Sequence, residues 1–345
     1  SNELNKYKIK QEAFIKAEQY YQNLIMLYDY NGKCDKKKVN TFLIAIIAEV
    51  GKDYEQTQSP IISYYLKIFE MDHYQLHENH VKAKDTCLEL LDIVRYNKSV
   101  YRKERVGIVY DHLSRCEYYL ENYKQAAEWA KEAHKYFNRG SDNYCVALEQ
   151  EFYALLAMED YDKAKEAADK MRTGAAKEEL GAFRHAKYNF LFANALFKGG
   201  RYKEVITLLS QGLEISKDKA GWEIGIRVLG IMACLELERF NEAAFSIERL
   251  RKFIAFTEKK TPVSVRDKTI GSLLQALEKQ AFAFTSLSAK AGKYLELLSS
   301  KEKEYCWEPF THEVIPFHEW LKSKCKISKM EPKGTAPFMK ELIKE

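Results

Sequence analysis

The hexapeptide Glu121-Asn122-Tyr123-Lys124-Gln125-Ala126 is followed downstream by three variants of itself. They are Glu159-Asp160-Tyr161-Asp162-Lys163-Ala164, Gly200-Arg201-Tyr202-Lys203-Glu204-Val205 and Glu238-Arg239-Phe240-Asn241-Glu242-Ala243. The aromatic anchors Tyr123, Tyr161, Tyr202 and Phe240 are spaced by 38, 41 and 38 residues. Self-similarity at a near-constant period of this size marks a stacked array of small units. Each copy stands between two runs of helical periodicity, so each reads as the turn of a helical hairpin. A polar pair ends the first helix. The aromatic ring opens the second and packs back on the first. The small residue three positions later allows the helices to approach closely.

The second helices carry small or apolar residues four and then three apart: Ala126, Ala130, Ala133; Ala164, Ala168, Met171; Val205, Leu209, Gly212; Ala243, Ile247, Leu250. Such spacing keeps them on one helix face. Breakers fall between the hairpins, at Asn138 to Ser141, Thr173-Gly174 and Lys217 to Gly221. The pattern resembles the tetratricopeptide repeat over Val106 to Phe256. A degenerate copy, Glu78-Asn79-His80-Val81-Lys82-Ala83, lies further upstream. The period is longer than the family's usual one, and the proline that normally follows each hairpin is missing. The chain is also similar to long bacterial proteins with degenerate helical repeats. The resemblance implies an all-α, right-handed α-α superhelix of antiparallel helix pairs.

Outside the repeats, Leu4 to Tyr30 and Lys37 to Val50 read as helices separated by the stop signal Asn31-Gly32. Ser59-Pro60 opens another helix with proline in its first turn. Val263 to Ala291 reads as one long helix, with Gly292-Lys293-Tyr294 a further turn. Trp307, Phe310, Phe317 and Trp320, interleaved with charges, read as a C-terminal cap over the last apolar face. The expected organisation is therefore N-terminal helices over 1–57, repeats over 58–260, capping helices over 261–325 and a mobile basic tail over 326–345.

Composition narrows the function. The 345 residues are 46% apolar and 30% charged, with 15 Gly and 6 Pro, which excludes a disordered or collagen-like chain. The net charge is +5, and most of that excess falls in the basic C-terminal segment. The rest is near neutral and lacks the basic stripe a phosphate backbone requires. Seven cysteines without a C-x-x-C pair read as reduced, mostly buried thiols. The longest apolar run, Phe42 to Ala48, has seven residues, too few for a membrane span. No signal peptide is visible, so a cytoplasmic location is expected, without nucleic-acid or membrane partners. Self-association is left open.

Few catalytic signals are present. His73 and His77 stand four apart on one helix face, a spacing used in zinc pairs, but no glutamate follows His73 to serve as a base. No phosphate loop or nucleophile motif occurs, and no cofactor, metal or enzymatic activity is expected. The family resemblance places the ligand on the first helices of the hairpins. Carried over residue by residue, it implies Asp111, Arg115, Tyr118 and Tyr119, then Glu149, Tyr153 and Leu156. It continues with Lys187, Phe190, Asn194 and Lys198, and ends with Val228, Met232 and Leu235. Rings beside Arg, Lys and Asn suit peptide recognition. Asp111 and Glu149 stand where the family's carboxylate-gripping members need cations. The expected function is thus a scaffold that holds a peptide or a partner-protein segment in a groove. The alternative is the sensory or regulatory portion of a larger signalling protein.

Overall fold

The computed structural model describes residues 2–28, 35–173, 177–211, 221–285 and 287–330. Among them are fifteen helices and no strand. They divide into two compact units, 1–220 and 221–345. That boundary falls inside the segment whose sequence reads as continuous repeats to residue 260.

In the first unit, α1 (Asn2–Leu27), α2 (Lys36–Thr57) and α3 (Pro60–Leu76) pack on one another. Proline at the start of α3 follows Ser59, as the sequence indicates. From α3 onward the helices pair as hairpins: α3 with α4 (His80–Tyr96), and α5 (Lys103–Tyr119) with α6 (Tyr123–His134). Next come α7 (Asp142–Ala157) with α8 (Tyr161–Thr173), and α9 (Lys177–Lys198) with α10 (Tyr202–Ser210). Each hairpin also packs on the next, α4 on α5, α6 on α7 and α8 on α9. The stacking of antiparallel helix pairs in chain order is that of an α-α superhelical fold.

The recurrent turn accounts for this order. The second helices begin at His80, Tyr123, Tyr161 and Tyr202, which are the anchors of the sequence repeat. Two residues before each anchor the backbone enters the left-handed region, at Glu78 (φ 59°), Glu121 (φ 62°), Glu159 (φ 61°) and Gly200 (φ 74°). The next amide then reaches back to the first helix: Asn79 N to Tyr74 O at 2.9 Å, Asn122 N to Glu117 O at 2.9 Å, Asp160 N to Leu155 O at 3.0 Å, Arg201 N to Leu196 O at 2.9 Å. This is the six-to-one bond of a Schellman stop, repeated four times. Behind it the small residues do what their spacing implies. Ala126, Ala130, Ala133, Ala164 and Ala168 are wholly buried, and Ser114 Oγ donates to Ala126 O at 2.8 Å across the contact. Gly107 serves the same closeness, since a Cβ there would stand 2.6 Å from the Phe137 ring.

The second unit contains α11 (Trp222–Glu236), α12 (Phe240–Glu258), α13 (Val265–Lys279), α14 (Ala289–Leu298) and α15 (Phe317–Met330). The repeat turn occurs a fifth time, with Glu238 at φ 56° and α12 opening on Phe240. Two sequence expectations are corrected here. Val263 to Ala291 is not one helix: α13 stops at Lys279, and Ala281 (φ 52°) and Phe282 (φ 57°) turn the chain. The turn seats Phe282 in the interior, stacked on Phe240 with ring centroids 5.4 Å apart. Burial of that ring outweighs continued helical periodicity. Gly292 to Tyr294 lies inside α14 rather than forming a separate turn.

The expected C-terminal cap is built around Arg266. This buried guanidinium meets the carboxylate of buried Glu313, bonds Leu298 O at 3.0 Å and also reaches Tyr305 O. Trp320 Nε1 donates to Glu236 at 2.6 Å, tying α15 to α11. Since α15 continues to Met330, residue 326 does not begin a tail; residues 331–345 lie outside those described, as do Asn31-Gly32, Gly174 and 217–220. Cys87, Cys116, Cys145 and Cys234 are buried free thiols, Cys306 is exposed and Cys325 half-buried, with Cys34 outside the described residues. No helix of the described residues is long and apolar enough to cross a membrane.

Candidate functional site: a charged row on the first helices

In the first unit the first helices α3, α5, α7 and α9 bring equivalent positions into a row. Asp72, Asp111, Glu149 and Lys187 follow one another at 39, 38 and 38 residues, one per hairpin. Lys187 Nζ meets Glu149 at 2.6 Å, an ion pair that bridges consecutive hairpins. Arg184 and Asp142 form a second such bridge nearer the start of α7, with Arg184 Nη2 2.9 Å from Asp142 Oδ2.

Arg115, one turn after Asp111 on α5, is the cation at the centre. Its side chain reaches solvent. Burial works against its charge, but Tyr119, Asp111 and Glu149 outweigh that cost and raise its pKa. The two aspartates are in the opposite situation. Burial pushes the Asp111 carboxyl up to about 7 against the attraction of Arg115, and neighbouring Glu149 adds to the rise. Asp72 is likewise raised to about 7 by burial, again opposed by Arg115. Burial, assisted by Arg115, holds His112 down at about 4. Asp72, Asp111 and His112 are only half-buried by surface area. Groups that touch water yet lose most of its stabilisation lie on the floor of a recess, where protein flanks them on several sides.

Two side-chain atoms in this recess, Asp111 Oδ1 and His80 Nδ1, are buried without a hydrogen-bond partner. A buried carboxylate oxygen without a donor costs about 1–3 kcal/mol, and such an atom calls for a complement. Around it, His80 stacks flat on Tyr119, with centroids 4.3 Å apart and planes 3° from parallel. Gln75 Nε2 lies 3.3 Å from His112 Nδ1.

The residues implied by the family resemblance separate into two groups. Arg115, Tyr119, Glu149 and Lys187 are accessible or half-buried and belong to the row. Tyr118, Tyr153, Leu156, Phe190 and Asn194 are buried, as are Val228, Met232 and Leu235 in the second unit. Tyr153 is 2% exposed and Phe190 1%. These side chains pack between helices and form the walls behind the recess, so they cannot be truncated without opening the core. Asn194 turns back on its own helix, donating to Phe190 O at 2.8 Å. Lys198 is exposed but points away from the row, over the Tyr161 ring of α8 at 5.3 Å. The carry-over missed Asp72 and His112. Asp72 was within reach of the sequence, since it stands one period before Asp111. His73 and His77 stand together near the end of α3, their ring centroids 4.3 Å apart, with His77 Nδ1 2.9 Å from His73 O. Among the described residues no three or more His, Cys, Asp or Glu gather in a way that could hold a metal.

No protein-family model matches the chain, and no curated protein matches it by sequence. A solved structure does match in fold. The chain resembles RapI. The crystal structure of the apo form of RapI superposes with a TM-score of 0.63 over 85% of this chain and 86% of RapI, at 15% identity. At that identity the likeness to RapI establishes a shared helical fold and carries no residue roles across.

Proposed function

We propose that the first unit is a non-enzymatic binding module whose charged row, Asp72–Asp111–Arg115–Glu149–Lys187, receives a peptide or a segment of a partner protein. The observation that carries this reading is Asp111 Oδ1, a buried acceptor with no donor in a recess open to solvent. A basic side chain or an amino terminus on the ligand would supply the donor and the charge. It would also favour the ionised form of both aspartates. Tyr119 and the stacked His80 offer aromatic surface beside it, and the Glu149–Lys187 pair offers a polar edge for a peptide backbone. The structure of RapI is described as that of an apo form, so RapI takes a ligand; a likeness in fold over nearly the whole of both chains supports a binding role here too.

The test is capture of native-host proteins on the immobilised chain, followed by mapping of the bound segment. Asp111→Asn should then weaken binding of that segment at least tenfold, since it removes the charge and leaves the shape. Melting should not fall. Equal binding by the variant, with loss on substitution of second-helix residues such as Glu128 or Lys165, would move the binding face off the first helices.

A further inference from the structure

In the second unit, α12 packs on α11 and α13, with Ala243, Ile247 and Leu250 buried. Its opposite side holds Asn241, Phe245, Arg249, Lys252, Phe256 and, at the C-cap, Lys259, and all six are exposed. At about 100° per residue they fall in one strip about 80° wide. Phe245 is 65% exposed and Phe256 57%. Eleven positions separate the two rings, three turns or about 16 Å along the helix. The charged positions of the strip are all cationic, and no carboxylate lies within it.

The near-neutral balance of the chain conceals this local excess. Between residues 249 and 260 there are five cations, Arg249, Arg251, Lys252, Lys259 and Lys260, against the single carboxylate Glu258. The carboxylates that flank the strip are already engaged. Glu248 pairs with Arg251 at 2.7 Å and with Lys252 at 3.5 Å, Glu242 with Arg239 at 3.5 Å, and Glu258 with Lys268 at 3.1 Å. Among the described residues, Arg249, Lys259 and Lys260 make no ion pair. Two of them rest on the rings instead. The Arg249 guanidinium carbon lies 5.7 Å from the centre of the Phe245 ring, and Lys260 Nζ lies 4.2 Å from that of Phe256.

We infer that this strip of α12 is a peripheral docking surface for an anionic lipid bilayer. Phe245 and Phe256 enter between the headgroups, while Arg249, Lys252, Lys259 and Lys260 meet the lipid phosphates. A helix that mixes exposed aromatic rings with a cluster of Lys and Arg binds such a surface by combining apolar burial with electrostatic attraction. The shape favours a lipid surface over a single-stranded nucleic acid. A nucleic-acid strand is held along a groove and stacks its bases on ring faces, but here one face of each ring already carries a cation. The strip is instead the outer side of one helix, so a flat target meets both rings at once. Ring edges suffice for entry, and the long cationic side chains beside them reach the phosphates.

Sedimentation with large vesicles tests the proposal, one set of phosphatidylcholine alone and one of phosphatidylcholine and phosphatidylglycerol in equal parts. At low salt the chain should partition onto the anionic vesicles at least tenfold more strongly than onto the neutral ones. Arg249→Glu/Lys259→Glu should lower that partitioning at least tenfold, and Phe245→Ser/Phe256→Ser at least fivefold. All four side chains are exposed, so helical spectra and melting should hold. Lys6→Glu/Lys10→Glu on α1, an equal change of net charge elsewhere, should alter it less than twofold. Equal partitioning of the parent onto both vesicles would overturn the proposal, as would partitioning that the α12 substitutions leave intact. So would binding that the charge pair abolishes and the ring pair does not, since the contact would then be adsorption to charge alone. Retention of polyuridylate on a filter, with no binding to vesicles, would overturn it in favour of a nucleic-acid partner.

Discussion

Asp111 and Asp72 make the recess costly to the fold. Both carboxyls titrate near 7 in the folded chain, above the ordinary 3.8. Between those values the folded state holds protons that the unfolded chain has released. Their contribution therefore weakens the fold as pH rises from about 4 to about 7 and is constant above. His112, held near 4, has the opposite slope between 4 and its ordinary 6.5. A comparison that keeps His112 isolates the aspartates. The double variant Asp72→Asn/Asp111→Asn should gain stability over the parent progressively as pH is raised from 4 to 7, with no further gain above. Denaturant midpoints at pH 4.5, 6 and 8 check this, and an identical difference at all three would show that neither carboxyl is perturbed. The residue scale is also where the sequence was least legible. Arg115, Glu149 and Lys187 were readable from the repeat register, and Asp72 could have been. Tyr153 and Phe190 could not be placed, because a large ring on a first helix serves equally well in a groove or between hairpins, and only packing decides.

At the scale of the element, the repeated turn was legible almost to the residue, since its anchors open α4, α6, α8, α10 and α12. What the hexapeptide did not reveal is the strain in it. The left-handed position is glutamate in four of the five turns and glycine only at Gly200. A side chain there costs roughly 1–2 kcal/mol, partly offset because glycine also loosens the unfolded chain. Glu121→Gly or Glu159→Gly should therefore raise stability by about 0.5–1 kcal/mol, and a lowered melting point would mean that the glutamate side chain is itself a needed contact. The small-residue face makes the opposite demand. Ala126 has no free space beside the Ser114 contact, so Ala126→Trp should destabilise the first unit by about 1–3 kcal/mol or more, read from its denaturant midpoint. An unchanged midpoint would contradict the close helix approach. Where an element was misread, at Val263 to Ala291, the sequence holds no glycine or proline at the break. The stop comes from Phe282 reaching Phe240, a contact 42 residues distant that no local signal announces.

At the scale of the molecule, the packing is almost entirely between successive helices, pair on pair in chain order. In such an array stability is close to a sum of terms for each repeat and each junction, rather than one all-or-none quantity. The first unit accordingly has weak and strong stretches. The feature also governs how the chain answers a mechanical load. Within the first unit, where helices pack chiefly on their neighbours in the chain, tension applied across the repeats would not meet one high barrier. Hairpins would peel off one after another, each releasing a length of about 130 Å for 38 residues at ~3.4 Å apiece. The charged recess, made by three or four neighbouring hairpins, would vanish with the first of them to go. Under force the recess, and with it the proposed binding, would be lost well before the rest of the fold.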